Sequence, residues 1–142
     1  MHEEISIESV SLGDEIPTLE RGPIPKVQMV KYAGASGDFH PLHTDDELGQ
    51  SVGLGGRIVH GMLVMGYAGE AITNWMPVRY LKKFGVRFTS ITRPGETIVV
   101  NGNVIKKDID SGMVTCEIVA KNKDGDVKLK GRCMLQLPHT RN

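Results

Sequence analysis

Residues 61–75, Gly-Met-Leu-Val-Met-Gly-Tyr-Ala-Gly-Glu-Ala-Ile-Thr-Asn-Trp, are apolar or small on nearly every side of a helical projection. That pattern predicts one helix almost wholly enclosed by the rest of the chain. After Pro77 the period changes from helical to alternating. Pro94-Gly95, Asp110-Ser111-Gly112 and Asp124-Gly125 then divide the chain into strands at residues 79–91, 96–107, 112–122 and 126–137. Consecutive strands joined by short turns predict an antiparallel meander, and a sheet curled around one buried helix is an α+β arrangement.

The first half of the chain is less regular. Residues 4–10 alternate polar and apolar positions before the turn at Leu12-Gly13-Asp14, which predicts a short opening strand. A helix follows, with Pro25 in its first turn, Val27, Val30 and Ala33 on its apolar face and Gly34 at its end. A second, short helix starts at Thr44, whose hydroxyl caps free amides ahead of Asp45, Asp46 and Glu47, and is ended by Gly53, Gly55 and Gly56.

Between these helices lies the segment richest in chemistry, Ser36-Gly37-Asp38-Phe39-His40-Pro41-Leu42-His43. Pro41 biases His40 away from helical geometry and Gly37 admits angles other residues avoid, so the segment is a shaped loop that presents side chains. A carboxylate at Asp38 and an imidazole at His43 suit general acid–base work. Two plainer readings stand beside this one. Asp38 also fits ordinary turn chemistry, and His40, His43 and Asp45 form a candidate metal trio, although no Cys-rich pair or helical His-x-x-x-His accompanies them.

With 142 residues the chain is read as one domain, 1–142. Its 17 basic and 17 acidic residues cancel, which argues against a nucleic-acid partner. The longest apolar stretch, near residues 61–69, is glycine-rich and too short to cross a bilayer. The polar opening of Met1, His2, Glu3 and Glu4 is unlike a secretory signal. Cys116 and Cys133 lack metal or redox spacing and read as buried free thiols, which fits a reducing cytoplasm. Basic residues across 121–132 partly alternate with apolar ones and read as a solvated strand face.

Tyr32-Ala33-Gly34 and the loop at residues 36–43 resemble the signature of the MaoC-like (R)-specific enoyl hydratase family. Ile58-Val59-His60-Gly61-Met62-Leu63 resembles that family's lead into its central helix. Val86-Arg87-Phe88-Thr89 with Pro94-Gly95-Glu96 is similar to its strand-and-turn pattern. The likeness spans residues 5–137 and is nearest to the mycobacterial type of (3R)-hydroxyacyl-carrier-protein dehydratase subunit.

It implies the hot-dog fold, with a curved antiparallel sheet wrapped around the central helix and two subunits paired through their sheets. It also implies reversible hydration or dehydration of an acyl thioester carried by CoA or a carrier protein, with no cofactor or metal. Asp38 and His43 match the family's catalytic pair, and the Gly61 amide matches its oxyanion donor. His40, His60 and Met62 are candidate supporting or substrate-lining residues.

The implied assembly is a homodimer, with a heterodimer as the alternative. Two departures stand out: His40 occupies a position where many members have Asn, and Glu70 one where related subunits carry a small residue. Glu70 motivates the rival reading of a hot-dog thioesterase, and a non-catalytic acyl-CoA-binding or partner subunit is the other rival.

Overall fold

The computed structural model describes residues 4–141, so the polar opening read from Met1, His2 and Glu3 lies outside the described residues. Strands β1 (Glu15–Arg21), β2 (Leu81–Phe88), β3 (Ile98–Asp108), β4 (Met113–Asn122) and β5 (Val127–Gln136) form one antiparallel sheet in the order β1-β3-β4-β5-β2. Helices α1 (Lys26–Ser36) and α2 (Asp46–Ser51) precede α3 (Gly61–Trp75), which packs against all five strands. Among the described residues no helix is long and apolar enough to cross a membrane.

The expected strands are present, but the expected meander holds only for β3-β4-β5. β2 pairs with β5 at the far edge, so the chain crosses from one edge of the sheet to the other before β3 starts beside β1. The crossing is stabilised because its backbone groups find partners. The Thr89 N–H donates to the Lys128 carbonyl (2.9 Å), Val59 N–H to Thr92 (2.8 Å) and Ile24 N–H to Glu96 (3.0 Å).

Further expectations are corrected in the first half. Residues 4–10 hold no strand but a 3₁₀ turn, Ile7–Ser9, in which Ser6 and Ser9 cap one another; Ile7 and Val10, three apart, are the buried apolar positions. β1 was not foreseen because Pro17 interrupts its pattern. Proline is tolerated there because β1 is an edge strand with a register irregularity between Ile16 and Leu19. In α1 the buried face is Met29 and Ala33, whereas Val27 and Val30 are exposed. Pro25 is its N-cap, and Gly37 at φ +75° ends it in place of Gly34. The cap of α2 is Asp45, one residue beyond Thr44.

α3 buries Leu63, Val64, Ala68, Ala71 and Ile72. Leu63, Val64 and Ile72 each contribute about 1.5–3 kcal/mol by leaving water. The opposite side is open, with Met62 56% exposed, so enclosure on every side is corrected to enclosure on one. A single curved sheet covers only one side of a helix. Cys116 and Cys133 are buried free thiols that face each other across β4 and β5, and Arg132 beside Cys133 points outward toward Glu117.

Lys128 departs from the solvated-face reading. Only 2% exposed, it is covered by the crossing segment, and its ammonium contacts the Ile91 carbonyl (2.8 Å), Asp126 (2.9 Å) and Glu96 (3.0 Å). Burial alone raises the Glu96 pKa, but the Arg93 N–H, the Asn122 amide and Lys128 outweigh it and hold the carboxyl below its ordinary value. Lys128 likewise holds Asp126 low.

Both carboxyls therefore bind protons less readily in the folded state than in the unfolded one. The stability they contribute is present above the ordinary carboxylate range and is lost as pH falls through their lowered folded values. Urea unfolding across pH tests this. Lys128→Met is expected to lower stability at neutral pH by about 2 kcal/mol, through loss of charge-assisted hydrogen bonds, and to flatten the acid dependence. An acid dependence as steep as wild type would remove Lys128 from the explanation.

Candidate active site at the head of the central helix

The αL conformation of Gly37 lets the chain turn sharply out of α1, closing on the Ala33 carbonyl (2.9 Å). Asp38 follows, its N–H donating to Ser36 Oγ (3.2 Å) and its Oδ1 accepting the His40 N–H (3.2 Å). Turn chemistry is therefore real here, yet it occupies only one carboxylate oxygen. Pro41 begins a short 3₁₀ turn, Pro41–His43, capped by His40, whose Nδ1 accepts the Leu42 N–H (3.2 Å). His40 is thus an exposed capping residue, with its ring 6.2 Å from that of His43.

His43 is turned inward, its side chain 14% exposed. Its Nδ1 lies 2.8 Å from the Ile58 carbonyl, which only accepts, so Nδ1 carries a proton and Nε2 is the nitrogen that presents a lone pair in the neutral ring. Nε2 stands 3.8 Å from Asp38 Oδ2, and the Asp38 side chain is 52% exposed. At that separation the two groups face one space without a direct hydrogen bond.

The segment that supplies Ile58 is fixed from both sides. The Ile58 N–H donates to Leu42 (2.9 Å), and Asp46 accepts from Lys26 (2.8 Å) and from the Arg57 N–H (3.0 Å) and Nε (3.1 Å). Those donors, Lys26 foremost, hold the Asp46 carboxyl well below the usual carboxylate range.

His60 is 1% exposed. Its ring stacks on His43 with centroids 3.8 Å apart at 20°, and meets Tyr32 edge-on at 4.8 Å. Its Nε2–H donates to the Asp38 backbone carbonyl (3.0 Å), while its Nδ1 is buried with no hydrogen-bond partner. Gly61, the next residue, begins α3, so its N–H has no acceptor within the helix and lies at the positive end of the helix dipole. A Cβ at Gly61 would stand 3.1 Å from Phe88 Cε1. His43, Ile58, Gly61, Val64, Phe88 and Thr92 surround much of a cavity of about 150 Å³.

The structure thus brings together Asp38, His43, His60 and Gly61, with His40 at the rim and Met62 exposed beside the helix start. Two contributors escaped the sequence reading. Ile58 acts through its carbonyl, which leaves no side-chain signal, and the Phe88 ring packs on Gly61 from a strand remote in sequence.

The metal trio of His40, His43 and Asp45 does not assemble, because Asp45 accepts the Glu47 and Leu48 N–H groups at the start of α2 and His40 caps its own turn. Asp38, His43 and His60 do offer ligand atoms within 4.8 Å of one another. Stacked imidazoles, however, direct their in-plane lone pairs side by side and do not converge on one ion. Glu70 lies on the α3 face toward β1, bound by the Arg21 guanidinium, with Nε 3.1 Å from both carboxylate oxygens.

Residues 8–126 match the family model described as a MaoC like domain. The chain belongs to the MaoC-like domain family. Within it, the chain is 33% identical over 112 residues to the enoyl-CoA hydratase ChsH3 of Mycobacterium tuberculosis, covering 77% of this chain but only 37% of that protein. It is 26% identical over 114 residues to the (R)-specific enoyl-CoA hydratase of Rhodospirillum rubrum, covering 75% of each.

The R-hydratase PhaJ1 of Pseudomonas aeruginosa superposes with a TM-score of 0.84 over 96% of this chain and 87% of that one, at 22% identity. The MaoC-like chain therefore has the α+β hot-dog fold, with α3 as the helix around which the sheet curves.

Proposed function

We propose that the chain catalyses reversible hydration and dehydration of an acyl thioester, interconverting a (3R)-hydroxyacyl and a trans-2-enoyl group carried by CoA or a carrier protein. The observation that carries this reading is the Asp38 carboxylate 3.8 Å from His43 Nε2, beside the first residue of α3, Gly61. Similarity to hydratases supports it, although the chain spans little more than a third of the first of those relatives.

Adding water across the α,β bond places negative charge on the thioester carbonyl oxygen, and a backbone N–H at a helix start stabilises such charge. His43 Nε2 takes a proton from water as its oxygen bonds to the β-carbon. Asp38, in its protonated form, delivers a proton to the α-carbon, and dehydration reverses both transfers. No electrons change hands, so these residues suffice without a redox cofactor.

The thioesterase alternative needs a free helix carboxylate, and Glu70 is engaged by Arg21. A homodimer is the proposed working unit, since β2 is paired on one side only and the outer side of α3 is open.

A panel of enoyl thioesters on CoA and on carrier protein tests the reading through loss of the enoyl absorbance, with chiral analysis of the product. A (3R)-hydroxyacyl product is expected. Hydrolysis of saturated acyl-CoA without hydration would replace the reading by a thioesterase, and binding without turnover by a partner subunit.

A further inference from the structure

Resting on the proposed site, we infer that His60 is a positioning residue that holds Asp38 and His43 in register with one another and with the Gly61 amide. One side chain touches both halves of the pair. Its ring lies flat on His43 at 3.8 Å, and its Nε2–H pins the Asp38 main chain at 3.0 Å. It also immediately precedes Gly61, so the chain that places its ring places the amide too.

The donor follows from the partner. The Asp38 carbonyl can only accept, so Nε2 carries a proton, while Nδ1 is buried with no hydrogen-bond partner. An aliphatic side chain would fill the space without that unsatisfied atom, but it would give up the tether to Asp38 and the flat face against His43.

The hydrogen bond from His43 to Ile58 fixes one ring nitrogen. Rotation of the imidazole about its bond to Cβ is blocked by what lies against its faces, and His60 lies against one of them. Asp38 has no comparable side-chain restraint, since half of its side chain is exposed. Its placement depends on the main chain around it, between Gly37 in the αL region and the His40 cap. A displacement of about 1 Å at either group costs up to about a hundredfold in rate.

His60→Ala, His60→Phe and His60→Gln separate the two contacts, since Phe keeps a flat ring without a donor and Gln keeps a donor without a ring. Two readouts are needed: kcat and KM for an enoyl thioester, normalised to folded protein, and the nitrogen-15 resonances of His43, assigned by comparison with His43→Asn.

His60→Ala is expected to lower kcat by about thirtyfold or more with KM within about threefold, and to broaden or average the His43 resonances. His60→Phe should retain the ordered His43 spectrum, His60→Gln should lose it, and each should recover only part of kcat. An unchanged His43 spectrum and kcat in folded His60→Ala would overturn the inference; if Ala does not fold, an ordered His43 spectrum with full kcat in His60→Gln would do so. If the wild type hydrates no thioester, the proposed function fails, and the His43 spectrum alone still decides the role of His60.

Discussion

Asp38→Asn and His43→Ala are each expected to lower turnover of an enoyl thioester at least about a hundredfold, the scale of losing a positioned proton-transfer group. Asp38→Asn removes the proton carrier but keeps an oxygen to accept the His40 N–H, the side chain's one backbone bond. The side chain is half exposed, so the folded state loses little.

His43→Ala removes the bond to Ile58 and the stack on His60 as well. It should therefore lower the melting temperature while leaving a folded chain whose kcat is measurable. Groups that act as a unit are not additive, and the double variant should be no slower than the slower single one by more than about threefold. Steady-state kinetics with circular dichroism on the same samples checks both points. A folded single variant with wild-type turnover would sink the assigned pair.

Gly61→Pro and Gly61→Ala isolate the backbone amide. Proline is accepted at the first position of a helix, where its missing N–H has no intrahelical acceptor, and His60 already has the extended angles (φ −57°, ψ 128°) that a following proline requires. Gly61→Pro therefore deletes the donor while leaving α3 its start. Loss of one oxyanion donor costs about a hundredfold to a thousandfold in kcat.

Gly61→Ala keeps the amide and adds a Cβ 3.1 Å from Phe88 Cε1. Phe88 is 47% exposed and is able to give way, so the expected loss is about tenfold or less. Equal rates for the two variants would show that crowding of the cavity, and not the amide, accounts for the effect.

The Asp38/His43 spacing, the turn-forming Gly37 and Pro41, and the helix opening at Gly61 were all legible along the chain, because each is a local consequence of backbone preference. The strand turns at Gly95, Gly112 and Gly125 were legible for the same reason, and all three take positive φ. β1 and the crossing of β2 to the far edge were not. Pro17 masks an edge strand, and pairing order depends on which edge remains open, a property of the assembled sheet. Lys128 misled for a related reason, since the basic residues near it in sequence, Lys123 and Lys130, are exposed and the segment that buries it comes from nearly forty residues away.

The sequence by itself determined the kind of chemistry available: an acid, a base and a helix-start glycine, with an apolar helix to build on. It also determined the family, through motifs whose order and spacing require no coordinates. Only the tertiary structure decided which groups meet. It set His43 Nε2 toward Asp38 by lending the Ile58 carbonyl to the other nitrogen, turned His40 into a cap, removed Glu70 to an ion pair, and placed His60 beneath the pair. The division is physical. Backbone conformation and amphipathicity are set within a few residues, whereas hydrogen-bond partners and ring contacts are supplied by segments that only the folded sheet brings together.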